Sequence, residues 1–219
     1  MTFDVIATGS AGNAVVLNDT ILIDCGVPFK KLEHVKDDLK LVLLTHSHSD
    51  HFNRRTVRAL ATERPTLRWC CCEWMVEPLV KAGVDKRKID VLFSSENTYC
   101  AYSYPDLHII VFPELLTHDV PNCGWHIHQA SERIFYATDT GTLDGITAPG
   151  YDLYMIEANH KKAELEARLE AKEQAGEFAY ERRAAANHLS EEQALDWLYQ
   201  NMGPNSQYVL LHQHKNSNS

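Results

Sequence analysis

No apolar run in the sequence is long enough to cross a membrane. The opening Met1-Thr2-Phe3-Asp4 also lacks the basic region and apolar stretch of a signal peptide. Together these absences predict a cytoplasmic protein with no membrane partner. No linker or low-complexity segment divides the 219 residues, so one domain over 1–219 is expected, or two fused halves sharing a core. The six cysteines are Cys25, Cys70, Cys71, Cys72, Cys100 and Cys123, and no C-x-x-C pair stands next to a second, which argues against a structural zinc knuckle. Cys70 to Cys72 follow Leu67-Arg68-Trp69 and read as small core residues of a buried strand, inert because buried. Positive charge is also scarce: 21 Lys and Arg face 30 Asp and Glu, a net charge of -9. Such a chain repels nucleic acid at long range, which counts against a general DNA-coating role. It counts less against an enzyme whose site holds dications, because those ions dominate the local field.

What is present reads as strands and helices in alternation. Phe3 to Ala7, Ala14 to Leu17 and Ile21 to Asp24 are expected strands, separated by Gly9-Ser10-Ala11-Gly12-Asn13 and by Asn18-Asp19. Leu41-Val42-Leu43-Leu44 is a continuous apolar run, the pattern of a strand buried on both faces. Helices are expected from Asn53 to about Thr62 and from Trp74 to Ala82, the second ended by Gly83, with a strand near Leu67 to Cys70 between them. Further strands are expected at Leu107 to Phe112, Gly124 to Gln129, Ile134 to Thr138, Leu153 to Ile156 and Tyr208 to Leu211. Residues 161–175 interleave Glu with Lys and Arg as a solvated helix does. Ser190-Glu191-Glu192-Gln193 is a capping box opening a helix to about Asn201. Strands and helices in this order fit two sheets flanked by helices.

The chemistry concentrates in Leu41 to Phe52, LVLLTHSHSDHF. A buried strand runs straight into His46, His48, Asp50 and His51. Four metal-type ligands so close together have no structural justification, since each would need burial or solvation without gain. Imidazole with carboxylate suits zinc, manganese or iron. His46 and His48 can converge on one ion, with Asp50 and His51 turned towards a neighbouring one.

H-x-H-x-D-H after a strand resembles the signature of the metallo-β-lactamase superfamily, whose fold is an αββα four-layer sandwich of the α/β (α+β) class. The resemblance extends in order along the chain. Thr20 to Gly26 looks like a strand pair ending in an Asp-x-Gly turn, which places Asp24 under the site. Thr117-His118-Asp119 offers a third histidine, Thr138-Asp139-Thr140-Gly141 an acid, and Leu210-Leu211-His212 a last histidine at a strand end. The resemblance implies that His46, His48 and His118 hold one divalent ion, Asp50, His51 and His212 another, and Asp139 both. Two zinc or manganese ions are the cofactors it implies. Taken alone, His118, Asp139 and His212 each have an ordinary structural reading; their order behind the motif gives them weight.

A narrower resemblance is to the YycJ/WalJ branch, described as DNA exonucleases. Gly9 to Asn13 is similar to its S-x-G-N turn, Glu157-Ala158-Asn159-His160 to its E-S-N-H segment, and Asn187 to Ala194 to its G-H-L-S-N-E-D-A segment. His212 to Asn218 is similar to its closing H-L-S-x-x-N-N. Ala158, Asn187, His214 and Ser217 depart from that pattern. In the superfamily's phosphodiesterases a further histidine precedes the last ligand, and His188 stands there. Such an imidazole binds a phosphate oxygen or protonates the departing alkoxide, typically worth about 10²- to 10⁴-fold.

The catalytic residues expected are therefore Asp50, orienting the attacking water, and His188, serving the leaving group. Ser10, Asn13, Asn159 and His160 are expected substrate contacts, and DNA is the expected substrate. Two readings stand beside this one. The first is a hydrolase of a small phosphodiester, thioester or lactone, favoured by the acidic charge. The second is a non-catalytic metal-binding protein. His34, His108, His126 and His128 read as ordinary surface or strand histidines, the last two sharing one strand face.

Overall fold

The computed structural model describes residues 2–93, 101–176 and 181–213. Cys100, His214 and the segment 215–218 lie outside the described residues. The chain forms two compact units, residues 1–113 and 114–219.

Unit 1 is built on a six-stranded mixed sheet, in the order β1 (Phe3–Ala7), β2 (Ala14–Leu17), β3 (Ile21–Ile23), β4 (Leu41–Leu43), β5 (Arg68–Cys72), β6 (Ile89–Phe93). The first three pair antiparallel through tight turns, and β3 to β6 pair parallel. Parallel pairing needs crossovers, supplied by α1 (Arg54–Glu63) and α2 (Val76–Ala82). Asn53 caps α1, its side chain accepting from the N–H groups of Arg55 and Thr56, and Gly83 ends α2 at φ 104°. β2 to β4 are buried at every position, and so is all of β5 but Arg68. Val16, Leu22, Val42 and Trp69 of the sheet share a core with Val57 and Leu60 of α1 and Leu79 of α2. Each such side chain stabilises by roughly 1.5–3 kcal/mol relative to exposure.

A second six-stranded mixed sheet runs β12 (Gln207–Leu211), β11 (Leu153–Glu157), β10 (Glu132–Ala137), β9 (Asn122–Gln129), β8 (Ile109–Leu116), β7 (Tyr102–Tyr104). The division into units falls inside β8. β9 and β10 are antiparallel, while β10, β11 and β12 are parallel. Between β11 and β12 lie α3 (Lys162–Ala175), α4 (Glu181–Asn187) and α5 (Glu191–Asn201). α5 begins with the expected capping box, both hydrogen bonds present. It packs Ala194, Trp197 and Leu198 against Phe135, Tyr154 and Ile156. Trp197 stacks on Phe135 at 5.2 Å and donates its indole N–H to the Ile146 carbonyl at 2.9 Å. In α3 only Leu165 is buried, so its charges form a solvated surface.

Three elements arise where the sequence did not announce them: β6, β7 and α4. β6 carries Asp90 as its second residue, which masks its pattern. Its carboxylate is matched by the Arg68 guanidinium and by the Tyr104 hydroxyl at 2.9 Å. β8 starts at Ile109 rather than Leu107, because residues 105–107 form a 3₁₀ turn and His108 is left-handed at φ 53°. Among the described residues no helix is long and apolar enough to cross a membrane.

Candidate functional site

In unit 1 the chemistry sits on the loop that leaves β4. Beneath it lies Asp24, fully buried and held at φ 57° directly after β3. Its carboxylate accepts from the Thr45 N–H at 3.0 Å, from the Thr45 hydroxyl at 3.0 Å, and from His51 Nδ1 at 2.6 Å. Spending Nδ1–H on Asp24 fixes the His51 tautomer and leaves the Nε2 lone pair for a ligand. The loop is held from its other side by Asn13, whose backbone N–H and side-chain amide both donate to the Asp50 carbonyl, at 2.6 and 3.2 Å. The same amide lies 2.8 Å from His51 Nε2. Gly26 makes this closeness possible: a Cβ there would stand 1.7 Å from the Asp50 oxygen. The result is a cluster of rings, His46 and His48 at 4.8 Å and His46 and His51 at 4.2 Å between centroids. His46 and His51 are buried, while His48 and Asp50 are partly open.

Unit 2 gathers the remaining residues. Asp139 follows β10 at φ 57° and His212 follows β12 at φ 54°. Left-handed backbone at non-glycine residues is uncommon and costs energy, so it clusters where a side chain must be aimed. His188 Nδ1 lies 3.5 Å from the Asp139 carboxylate, and His212 Nε2 lies 3.5 Å from the same oxygen. The His188 and His212 rings stack at 5.1 Å. His118 reaches the Asn187 carbonyl with Nδ1 at 3.3 Å, and its ring lies 5.5 Å from that of His188. Its neighbour Asp119 is 3.2 Å from His118 Nε2 and pairs with Arg183 of α4.

The central group of unit 2 was not singled out in the sequence. Glu157, fully buried at the end of β11, accepts His188 Nδ1–H at 2.5 Å and His212 Nδ1–H at 3.0 Å. It also accepts the backbone N–H groups of Thr140 at 3.0 Å and Leu189 at 3.3 Å. One carboxylate thus ties together the loops bearing Asp139, His188 and His212. Burial alone would raise its carboxyl, but the hydrogen bonds from His188 and His212 outweigh that and hold it below its ordinary range. Burial pushes His188 down, yet the Glu157 bond and the charges of Glu157 and Asp139 leave it raised. A visible signal existed: a lone acid closing an otherwise apolar run, LYMIE, ahead of Asn-His.

The expected substrate contacts fall in different places. Ser10 is exposed in its turn, whereas Asn13 is buried and its amide is committed to the loop. Asn159 donates to the His212 carbonyl at 3.2 Å, and with His160 it lines a cavity of about 290 Å³ in unit 2. His126 and His128 do share a face, both bonding the Tyr151 hydroxyl, at 2.8 and 3.0 Å.

The donors present suit a divalent metal. In unit 2, His212 Nε2 lies 3.5 Å from an Asp139 carboxylate oxygen, and nitrogen with carboxylate oxygen is the donor set of zinc and its neighbours. Asp24 behind His51 and Glu157 behind His212 are the usual carboxylate support for a ligating imidazole.

Comparisons with known proteins agree with this construction. The sequence matches the β-lactamase superfamily domain over residues 19–212. The fold is similar to the metallo-β-lactamase fold protein YhfI from Bacillus subtilis, with a TM-score of 0.70 at 18% identity over 96% of this chain and 85% of that one. It is similar to the short form of human tRNase Z, with a TM-score of 0.70 at 16% identity over 98% and 93%. It is also similar to Zn(2+)-bound PqqB from Methylobacterium extorquens, with a TM-score of 0.64 at 11% identity over 97% and 89%. No curated protein sequence matches the chain significantly. The mixed sheets, the loop after β4 and the match over most of the sequence together place the chain in the β-lactamase superfamily, with the metallo-β-lactamase fold.

Proposed function

We propose that this chain is a metal-dependent phosphodiesterase that degrades DNA in the manner of the YycJ/WalJ exonucleases. Its ligands are His46, His48 and His118 for one divalent ion and Asp50, His51 and His212 for the other, with Asp139 shared; zinc or manganese fits the donors. When bound, two such ions lower the pKa of a shared water and polarise a phosphoryl oxygen. Asp24 keeps His51 in the ligating tautomer, and Asp50 accepts a hydrogen bond that orients the attacking water. Glu157 holds the His188 ring by Nδ1–H. Glu157 and Asp139 favour the imidazolium form of that ring, whose Nε2–H donates to a phosphate oxygen or to the departing alkoxide. Ser10, Asn159 and His160 contact the strand, and Asn13 acts from beneath the loop.

The observation that carries this reading is His188: an imidazole outside the seven-residue ligand set, aligned by a buried carboxylate beside Asp139. Hydrolysis of an ester with a good leaving group has no use for such a group, whereas a phosphodiester with an alkoxide leaving group does. The resemblance to a tRNase Z, a nuclease by its name, points the same way. The net charge of -9 favours a second reading, a small phosphodiester, thioester or lactone as substrate.

The test is incubation of the manganese- or zinc-loaded protein with end-labelled duplexes bearing 5′-phosphate or 5′-hydroxyl, and with single strands. Release of mononucleotides from one end supports the proposal. Inertness towards every DNA, alongside rapid turnover of a cyclic phosphodiester or thioester, transfers it to the second reading.

A further inference from the structure

The parallel strands of unit 1 have two ends. The loop of His46 to His51 leaves β4 at its C-terminal end. At the N-terminal ends of β4 and β5 lies a cavity of about 470 Å³ that the hydrolytic reading does not use. Lys40, Arg64, Thr66 and Arg68 line it together with residues 102–107.

Its charges are unequal in kind. Arg68 is neutralised, because its guanidinium grips both oxygens of Asp90, which also takes the Tyr104 hydroxyl. Arg64 is different: it donates to the backbone carbonyls of Lys36 and Leu39, the latter at 3.0 Å. Those bonds fix the guanidinium in place without cancelling its charge, and a guanidinium has donors to spare. Among the described residues no carboxylate pairs with Arg64 or with Lys40. A chain of net charge -9 thus presents two cations without a carboxylate partner at one cavity, with Thr66 also on its lining. Fixed arginine is the side chain best matched to phosphate oxygens.

The lining is also aromatic. Tyr102 is 40% exposed, its ring 4.8 Å from that of Tyr104, and Asp106 is also on the lining, exposed. An open tyrosine face stacks on a planar base whatever its identity. A free carboxylate accepts hydroxyl donors, as acidic residues do from ribose. The volume falls within the range of small-molecule sites, roughly 300–1,000 Å³.

We propose that this cavity binds a nucleoside 5′-monophosphate, with the phosphate on Arg64 and Lys40, the base on Tyr102 and the ribose hydroxyls on Asp106. The site is separate from the metal ligands and does not depend on the hydrolytic reading.

Calorimetric titration of the full chain in EDTA with adenosine 5′-monophosphate tests it, beside adenosine and inorganic phosphate alone. One saturating site is expected, with each fragment binding at least about ten-fold more weakly than the nucleotide. Lys40→Glu and Tyr102→Ala should each weaken binding by about ten-fold or more, while His48→Ala leaves it unchanged. The Lys40 side chain makes no described bond, so its variant tests charge without loosening the fold. Absence of saturable binding at millimolar nucleotide would overturn the proposal, as would wild-type affinity in both variants or loss in His48→Ala. Inorganic phosphate binding as tightly as the nucleotide, or a 5′-phosphorylated dinucleotide binding more tightly, would overturn the mononucleotide assignment.

Discussion

Glu157 shows how much one buried carboxylate organises. Four donors converge on it, two imidazole and two backbone N–H groups. Glu157→Gln replaces one acceptor oxygen with an amino group, so at least one buried donor loses its partner. A loss of about 1–3 kcal/mol or more in unfolding free energy is expected, because the lost bonds involve a charged acceptor. The pH dependence has a definite sign. The folded carboxyl is held below its unfolded value of about 4.3, so it contributes stability above that value. That contribution is lost as the pH falls through the unfolded value towards the lowered folded one. Urea midpoints of the metal-free protein at about pH 6 and about pH 4 should therefore drop further in the wild type than in Glu157→Gln. Equal drops in both proteins would locate the acid sensitivity elsewhere. His188→Ala makes a different prediction: metal content unchanged, and kcat on a phosphodiester reduced by about 10²-fold or more. An activated ester, whose leaving group needs no proton, should be little affected. Loss of metal in this variant would mean that His188 is a ligand rather than a catalyst.

Among elements, the loop after β4 depends on what it rests upon. Gly26 faces the Asp50 carbonyl so closely that any side chain must displace the loop. Gly26→Ala should cost about 1–3 kcal/mol of stability, and metal affinity should fall with it. Unfolding curves and zinc titration check this; an unperturbed zinc affinity would show that the loop can yield without moving its histidines. Much of this element was legible beforehand. A continuous apolar run breaking into H-x-H-x-D-H has few physical explanations, and Asn53, Gly83 and Ser190 mark helix ends through local hydrogen bonding and backbone conformation alone. Other elements were hidden because their reasons are non-local. β6 tolerates Asp90 only because Arg68 and Tyr104 arrive from distant positions. Asn13 read as a substrate contact in a turn, and only the fold shows its amide buried against Asp50. Glu157 left only a faint mark for the same reason, since a single acid closing an apolar strand acquires meaning from the histidines brought to it.

For the whole molecule, the proposed activity sets two expectations. About two divalent ions per chain should bind at saturation, and Asp139→Ala should reduce that number along with activity. Elemental analysis finding no more than one ion per chain would remove the dinuclear reading. An acidic chain must also hold DNA by local contacts, so the logarithm of affinity should fall only gently with the logarithm of salt concentration, reflecting a few phosphates. A steep slope would reveal a basic face that the composition does not suggest. The buried cysteines carry a consequence of another kind. Cys70, Cys71 and Cys72 lie fully buried in unit 1 and Cys123 fully buried in unit 2. Burial lifts the Cys70 and Cys71 thiols well above their ordinary range, so neither reacts while its strand stays closed. With Cys100 replaced by serine, alkylation therefore becomes a clock for opening. Mass spectrometry of Cys71 times one unit and of Cys123 the other, so matched rates would mark a single cooperative opening and unmatched rates two.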